Sequence, residues 1–191
     1  MSRTPSTMVA LGTLAPRFAL PDVRTEKTVR LEDFAGRRAL LVMFICRHCP
    51  FVVHVQGELA KLGRDYEGQD VALVAISSND VEGYPEDAPD RLAAQAREQG
   101  FAFPYLFDET QAVARAYEAA CTPDLFLFRR EADGFRLAYR GQLDDSRPGN
   151  GKPVTGADLR RALDAVLSGA PVPEPQHPSI GCNIKFRGAP S

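Results

Sequence analysis

Seven consecutive apolar residues, Ala39 to Ile45, run directly into Cys46-Arg47-His48-Cys49-Pro50, and this junction restricts the possible folds more than any other segment. An apolar run of that length reads as a buried strand. Pro50 suits a first helical turn, where its missing N–H would have no intrahelical partner. Strand therefore gives way to helix within a few residues, with two thiols at the helix N-terminus. Oriented amides and the positive end of the macrodipole favour a thiolate there by ~0.3 to 1 kcal/mol, and cationic Arg47 and His48 add to it. A shift of one pKa unit takes ~1.4 kcal/mol, so the sum brings one thiol near neutral pH. One sulfur can then attack a disulfide and the other resolve the mixed intermediate. Cys46, on the turn, is expected to be the more exposed, low-pKa attacker and Cys49 the resolving thiol.

A Cys-x-x-Cys pair is also half of many zinc sites, which need two further ligands, commonly a second close pair. The sequence has none: Cys121 and Cys182 stand alone, and His48, His54 and His177 make no H-x3-5-H spacing. Redox chemistry without a metal is the expectation. His54, inside the apolar stretch Phe51 to Val55, reads as a helix-surface or satisfied core histidine. His48 lies between the thiols and should influence their ionisation.

The 191 residues suit one domain with extensions, and 44% hydrophobic content fills a core. With 25 acidic against 23 basic residues, neither nucleic acid nor an anionic membrane is implied as a partner. Met1 to Leu14 lacks the long apolar core of a signal peptide, and no run approaches membrane-spanning length. A cytoplasmic protein is expected, in which four cysteines would not serve as structural staples.

Residues 1–12 read as a flexible arm, 13–169 as the domain and 170–191 as a proline-rich strap. Thr13 to Asp33 suggests an N-terminal hairpin. Ala39 to Cys46, a helix to about Tyr66 and Val71 to Ser77 form a βαβ unit with parallel strands. A loop leads to a helix from Asp90 to Gln99 closed by Gly100. Next come a strand Phe103 to Phe107, a helix Glu109 to Ala119, and a hairpin of Leu125 to Arg129 with Phe135 to Arg140. The last helix, Thr155 to Leu167, is capped by Thr155. Pro171, Pro173, Pro175 and Pro178 keep the tail extended.

Several segments carry a resemblance in this order: Ala15-Pro16-Arg17-Phe18-Ala19-Leu20, Leu31-Glu32-Asp33-Phe34-Ala35-Gly36, the cysteine loop, Tyr84-Pro85-Glu86-Asp87 and Phe103-Pro104-Tyr105-Leu106. Cys121-Thr122-Pro123-Asp124, Tyr139 to Pro148 and Gly181-Cys182-Asn183-Ile184-Lys185 complete it. From Gly12 to Lys185 the chain resembles the thioredoxin-fold redoxins, and more narrowly the peroxiredoxin-like thioredoxin proteins of AhpC/TSA type. The resemblance implies an α/β thioredoxin-like fold with a central mixed β-sheet flanked by helices. It places Thr122 and a cis Pro123 opposite the cysteines, where a substrate backbone could pair beside the reactive sulfur.

The sequence departs from both parent groups. It has no Trp, and no acid between Ala39 and Ile45 where thioredoxins keep a buried proton acceptor. Against the peroxiredoxin pattern Pro-x-x-x-Thr-x-x-Cys, Cys46 stands in place of Thr and Val42 in place of Pro. The leading expectation is a cytoplasmic thiol-disulfide oxidoreductase working through Cys46 and Cys49, with Arg47, His48, Thr122 and Pro123 in support. It would need no cofactor beyond its redox-active disulfide. Its partners would be protein or small-molecule disulfides and an electron donor. The alternatives are an antioxidant thiol peroxidase in which Cys49 or Cys46 reacts with the peroxide and Cys182 could resolve, and a redox-sensing or zinc-binding module.

Cys121, Arg140 and Cys182 are further candidates. Cys121 reads as a small buried residue under the loop, and Arg140 as structural. The segment Asp144 to Pro148 reads as a solvated loop or a lip of the active site, with Arg140 and Arg147 able to hold an anionic substrate; the expectation is a structural role in which Asp144 or Asp145 pairs with an arginine. Ile180 and Ile184 suggest that the strap docks, covering a surface while Cys182 stays reduced.

Overall fold

The computed structural model describes residues 3–188. The chain begins with β1 (Arg3–Pro5), then a short hairpin of β2 (Ala19–Pro21) and β3 (Thr28–Arg30). β4 (Ala39–Phe44) leads into α1 (Pro50–Asp65), and β5 (Val71–Ser77) follows in parallel register with β4. Next come α2 (Pro89–Gln99), β6 (Tyr105–Phe107), α3 (Ala112–Ala116) and β7 (Cys121–Thr122). β8 (Asp124–Glu131) and β9 (Gly134–Gly141) form the second hairpin, α4 (Ala157–Ser168) packs behind it, and β10 (Ile180–Asn183) ends the fold.

β6-β5-β4-β8-β9 make a five-stranded mixed sheet, parallel from β6 to β4 and antiparallel from β4 to β9. Every residue of β4 is buried because helices and hairpin cover both faces, which is why it reads as an unbroken apolar run. Leu41 and Met43 face the layer of α1, α2 and α4, while Leu40, Val42 and Phe44 face that of α3 and the N-terminal hairpin. Along α1, Val52, Val55, Leu59 and Leu62 form the buried stripe. Among the described residues no helix is long and apolar enough to cross a membrane.

Four expectations need correction. The arm is not free where it is described. β1 pairs with β10, Thr7 donates to the Glu118 carbonyl, and Gly12 joins the backbone of Leu137; Met1 and Ser2 lie outside the described residues. α3 is far shorter than Glu109 to Ala119, because Gln111 is held left-handed at φ 63° by bonds from its side chain to the carbonyls of Ser78 and Lys185. The last helix is N-capped at Gly156, although Thr155 accepts from the Ala157 amide at 3.3 Å. The strap is extended as expected, but Ile184 is buried while Ile180 is partly exposed. It ends in a second, three-stranded sheet, β1-β10-β7, and Ala189 to Ser191 lie outside the described residues.

Candidate active site

β4 delivers the cysteine loop and α1 begins with Cys49 as its N-cap and Pro50 in the first turn. Thr122 and Pro123, joined by a cis peptide bond, face the loop as expected. The Cys46 sulfur lies 3.4 Å from the Thr122 hydroxyl. As a thiol, Cys49 donates to the Thr122 carbonyl at 3.2 Å. All four cysteines are reduced and buried.

Two premises about the thiols fail. Neither is exposed: Cys46 is 1% and Cys49 0% accessible. The lowered pKa also falls on Cys49, at about 5. The Cys46 thiol donates to it, burial opposes, and Cys182 and Thr122 add hydrogen bonds. Its N-cap position, at the positive end of α1, acts in the same sense. Cys46 is pushed well above the ordinary thiol range by that same bond to Cys49, by burial and by the Asp87 carboxylate. The charge belongs to the sulfur at the helix end, and the other keeps its proton by sharing it.

Arg47 turns away from the thiols, while His48 is held by Asp87 and still feels the Cys49 charge, which adds to the rise of its pKa. The Arg47 guanidinium turns onto α2, donating to the Arg91 carbonyl at 2.9 Å and pairing with Glu98 at 3.7 Å. His48 turns to Asp87, with Nδ1 2.5 Å from Oδ2, and stacks on Tyr84 with ring centroids 5.0 Å apart. The bond to Asp87 raises its pKa against burial. His48 Nε2 is buried without a partner.

Asp87 is the residue that reading the sequence missed. It is completely buried and accepts from the amides of Arg47 (2.8 Å) and His48 (3.2 Å), from the His48 ring, and from the Asn79 amide (2.8 Å). Against burial, the bonds from His48 and Asn79 hold its pKa down. This loop brings a buried carboxylate near Cys46, where its charge raises that thiol. Its signal, an aspartate closing Tyr84-Pro85-Glu86-Asp87, is visible in the sequence, but nothing local says that it is buried. Cys46, His48 and Asp87 offer ligand atoms within 4.8 Å of one another, the group among the described residues best suited to a metal. Both carboxylate oxygens already carry hydrogen bonds, so an ion there would displace the donors that hold the cysteine loop.

The remaining candidates divide. Cys182 pairs in register with Thr122, whose carbonyl takes the Cys49 hydrogen bond, and it lies in one buried cluster with Cys46 and Cys49. Burial and the Cys49 charge raise its pKa to about 12. Cys121 is buried, donates to the Pro123 carbonyl at 3.6 Å and is pushed up by burial. Arg140 binds the Val9 carbonyl (2.8 Å) and Gln176 (2.7 Å), fastening both chain ends away from the sulfurs.

The Asp144 to Pro148 segment is not a solvated loop of aspartate–arginine pairs. Asp144 and Ser146 are buried, and Asp144 receives the amides of Ser146, Thr155 and Gly156. Asp145 pairs with Lys152, while Arg147 binds the carbonyls of Asp144 and Ser146 and the Gln142 side chain. With Pro123, Phe51 and His54 the segment lines a shallow cleft. There His54 Nε2 sits 2.8 Å from the Ser146 hydroxyl, a satisfied histidine as read.

Residues 11–133 match the AhpC/TSA family. An uncharacterized conserved protein from Geobacillus kaustophilus is 55% identical, covering 100% of this chain and 99% of its own, with a TM-score of 0.95. A hypothetical protein from Sinorhizobium meliloti 1021 is 53% identical over 97% and 100% of the two chains, with a TM-score of 0.93. The thiol-disulfide oxidoreductase ResA of Geobacillus kaustophilus is 27% identical over 132 residues, 68% of this chain and 70% of that protein. A putative thiol:disulfide interchange protein from Chlorobium tepidum, 20% identical with a TM-score of 0.64 over 83% of this chain and 98% of its own, shares the fold. With its mixed sheet, its Cys46–Cys49 loop and its cis Pro123, this chain belongs to the AhpC/TSA family.

Proposed function

We propose that this protein is a thiol-disulfide oxidoreductase in which Cys49 attacks and Cys46 resolves. The observation that carries the reading is the Cys49 sulfur at the head of α1, its pKa lowered to about 5 by a thiol three residues earlier. The Cys49 thiolate displaces one half of a substrate disulfide, forming a mixed disulfide as the first thiolate leaves. Cys46 loses its proton and attacks Cys49, the Cys46–Cys49 bond forms, and the second half departs. Once Cys49 is bonded to substrate its negative charge is gone, which removes one of the causes that hold Cys46 protonated. His48 and Asp87 keep the loop in place through Asp87's bonds to the Arg47 and His48 amides. We place the reaction in the cytoplasm, where an electron donor returns the couple to its dithiol form.

A specific observation favours a second reading. Both sulfurs are buried, and the Thr122 backbone, where an extended substrate would pair, is already paired with Cys182. A small oxidant such as a peroxide meets less obstruction than a protein disulfide. Cys49 would become a sulfenic acid and then a disulfide. Against it, neither Arg140 nor Arg147 turns its guanidinium to the sulfurs.

Parallel turnover assays decide between the two, one with insulin or a small disulfide under dithiothreitol, the other with hydrogen peroxide. Disulfide turnover lost in Cys49→Ser, with slow peroxide consumption, supports the oxidoreductase. Fast peroxide consumption with no disulfide turnover would replace it.

A further inference from the structure

The strand that carries Cys182 lies where a substrate strand would lie. β10 is antiparallel to β7, with Cys182 opposite Thr122 and Asn183 opposite Cys121. Gly181 is pressed on the same backbone: a Cβ there would stand 2.0 Å from the Thr122 carbonyl oxygen, so only glycine allows the approach. The strap is fastened upstream as well. The Ser179 hydroxyl donates to the Gly141 carbonyl at 2.6 Å, and the Ser6 amide to the Ser179 carbonyl at 2.9 Å. On its other edge β10 is covered by β1. This ribbon sets Cys182 across from Thr122, whose carbonyl lies 3.2 Å from the Cys49 sulfur and whose hydroxyl lies 3.4 Å from the Cys46 sulfur, and the three cysteines share one buried cluster. Cys49 is thus the shared neighbour of two thiols from distant parts of the chain, the arrangement that thiol–disulfide exchange needs at its central sulfur.

We propose that Cys182 is a third redox-active thiol of this site, resolving mixed disulfides on Cys49 in competition with Cys46, and delivered by a strand that stands in for the substrate backbone. The inference rests on Cys49 as the attacking thiol. The Cys49 thiolate first attacks R–S–S–R, so that the Cys49–SR bond forms and one RS⁻ leaves. Cys182 then gives up its proton and its sulfur attacks the Cys49 sulfur. The Cys49–Cys182 bond forms, the Cys49–SR bond breaks, and the second RS⁻ takes the proton. Two electrons pass from the two protein sulfurs to the substrate disulfide. The step that forms the mixed disulfide also removes the Cys49 charge beside Cys182, one of the causes that kept Cys182 protonated.

The test removes the competitor. Reduced Cys46→Ser protein is mixed with one equivalent of oxidised glutathione, quenched in acid at intervals, alkylated and mapped by mass spectrometry. A transient glutathione adduct on Cys49 is expected, giving way to a Cys49–Cys182 bridge with both glutathione halves released. Adding Cys182→Ser should lengthen the adduct's life by at least about tenfold, since an attacking group held in place reacts far faster than one from solution. An adduct that persists in Cys46→Ser with Cys182 fully alkylated would overturn the proposal.

Wild-type protein provides a second readout free of any folding defect. At equilibrium with a glutathione buffer it should contain both Cys46–Cys49 and Cys49–Cys182 bridges, and complete alkylation of Cys182 at every ratio would count against the proposal. Failure of wild-type Cys49 to form any adduct, with Cys46 modified instead, would overturn the attacking role first and this proposal with it.

Discussion

Cys46 and Cys49 stand three residues apart and in opposite surroundings. On one side Asp87, buried and receiving hydrogen bonds on both oxygens, fixes the loop and adds negative charge near Cys46. On the other, Cys49 sits at the N-terminal end of α1 under the β1-β10-β7 ribbon, which carries Thr122 and Cys182. Burial raises both thiols, so it cannot separate them. What separates them first is which thiol gives the proton they share; the Asp87 carboxylate then raises Cys46, while other donors and a helix N-terminus favour the charge on Cys49. The same burial that could have silenced the pair makes this difference large.

The largest effect tests that asymmetry directly. Cys49→Ser should abolish disulfide reduction, a loss beyond about 1,000-fold, because no thiolate remains to attack. Cys46→Ser should still form the mixed disulfide within about tenfold of the wild-type rate while turnover falls. Single-turnover adduct formation followed by mass spectrometry reads both. Adduct formation retained in Cys49→Ser and lost in Cys46→Ser would exchange the two roles.

Gly181→Ala tests the ribbon side. The new methyl would collide with the Thr122 carbonyl, a backbone atom that cannot rotate away. β10 should be displaced, and iodoacetamide should label Cys49 and Cys182 about tenfold faster or more as their cover opens. Labelling rates unchanged from wild type would mean that β10 does not control access.

How much of this was legible in the sequence differs between the two sides. The five-stranded sheet could be read because each strand declares its burial: Ala39 to Phe44 has no polar residue, and the Asp124–Glu131/Gly134–Gly141 hairpin carries its turn at Asp133-Gly134. The cysteines, Thr122 and Pro123 were legible through the resemblance and through Pro50. The ribbon was not, because strands of two to four residues carry no period, and β7 lies over a hundred residues from β1 and is separated from β10 by the second hairpin, α4 and the strap. Asp87 was missed because an aspartate in a polar, proline-bearing loop is ordinarily solvated. Only the fold brings Asn79, the loop amides and His48 to it. The placement of Arg47 escaped for the same reason, since adjacency along the chain does not fix where a long side chain turns.

On the acid side, Asp87→Asn removes a buried charge from its partner and should cost about 3 kcal/mol of stability, measured by urea unfolding. The same change should lower the Cys46 pKa, because it removes one of the causes that raise it. Thiolate absorbance against pH would read this, and an unchanged Cys46 titration would place Asp87 outside the electrostatics of the couple.

The smallest effect concerns pH. His48 is raised above 6.5 by Asp87, and Asp87 is held below 3.8 by His48 and Asn79. The histidine's contribution is therefore complete below 6.5 and disappears as pH rises through its folded value. The carboxylate's contribution is complete above 3.8 and disappears as pH falls through its own folded value. The pair therefore stabilises the fold most at mildly acidic pH and less in alkali. His48→Gln, which keeps a donor but cannot ionise, should flatten the alkaline side of the unfolding profile and leave the acid side in place. Cys49 supplies an independent pH marker in the same range, since its alkylation should level off above about pH 6 and fall by half near 5. Should His48→Gln shift that alkylation midpoint by a full unit, the histidine would be acting on the thiolate itself, and the division between an acid side and a ribbon side would have to be redrawn with His48 belonging to both.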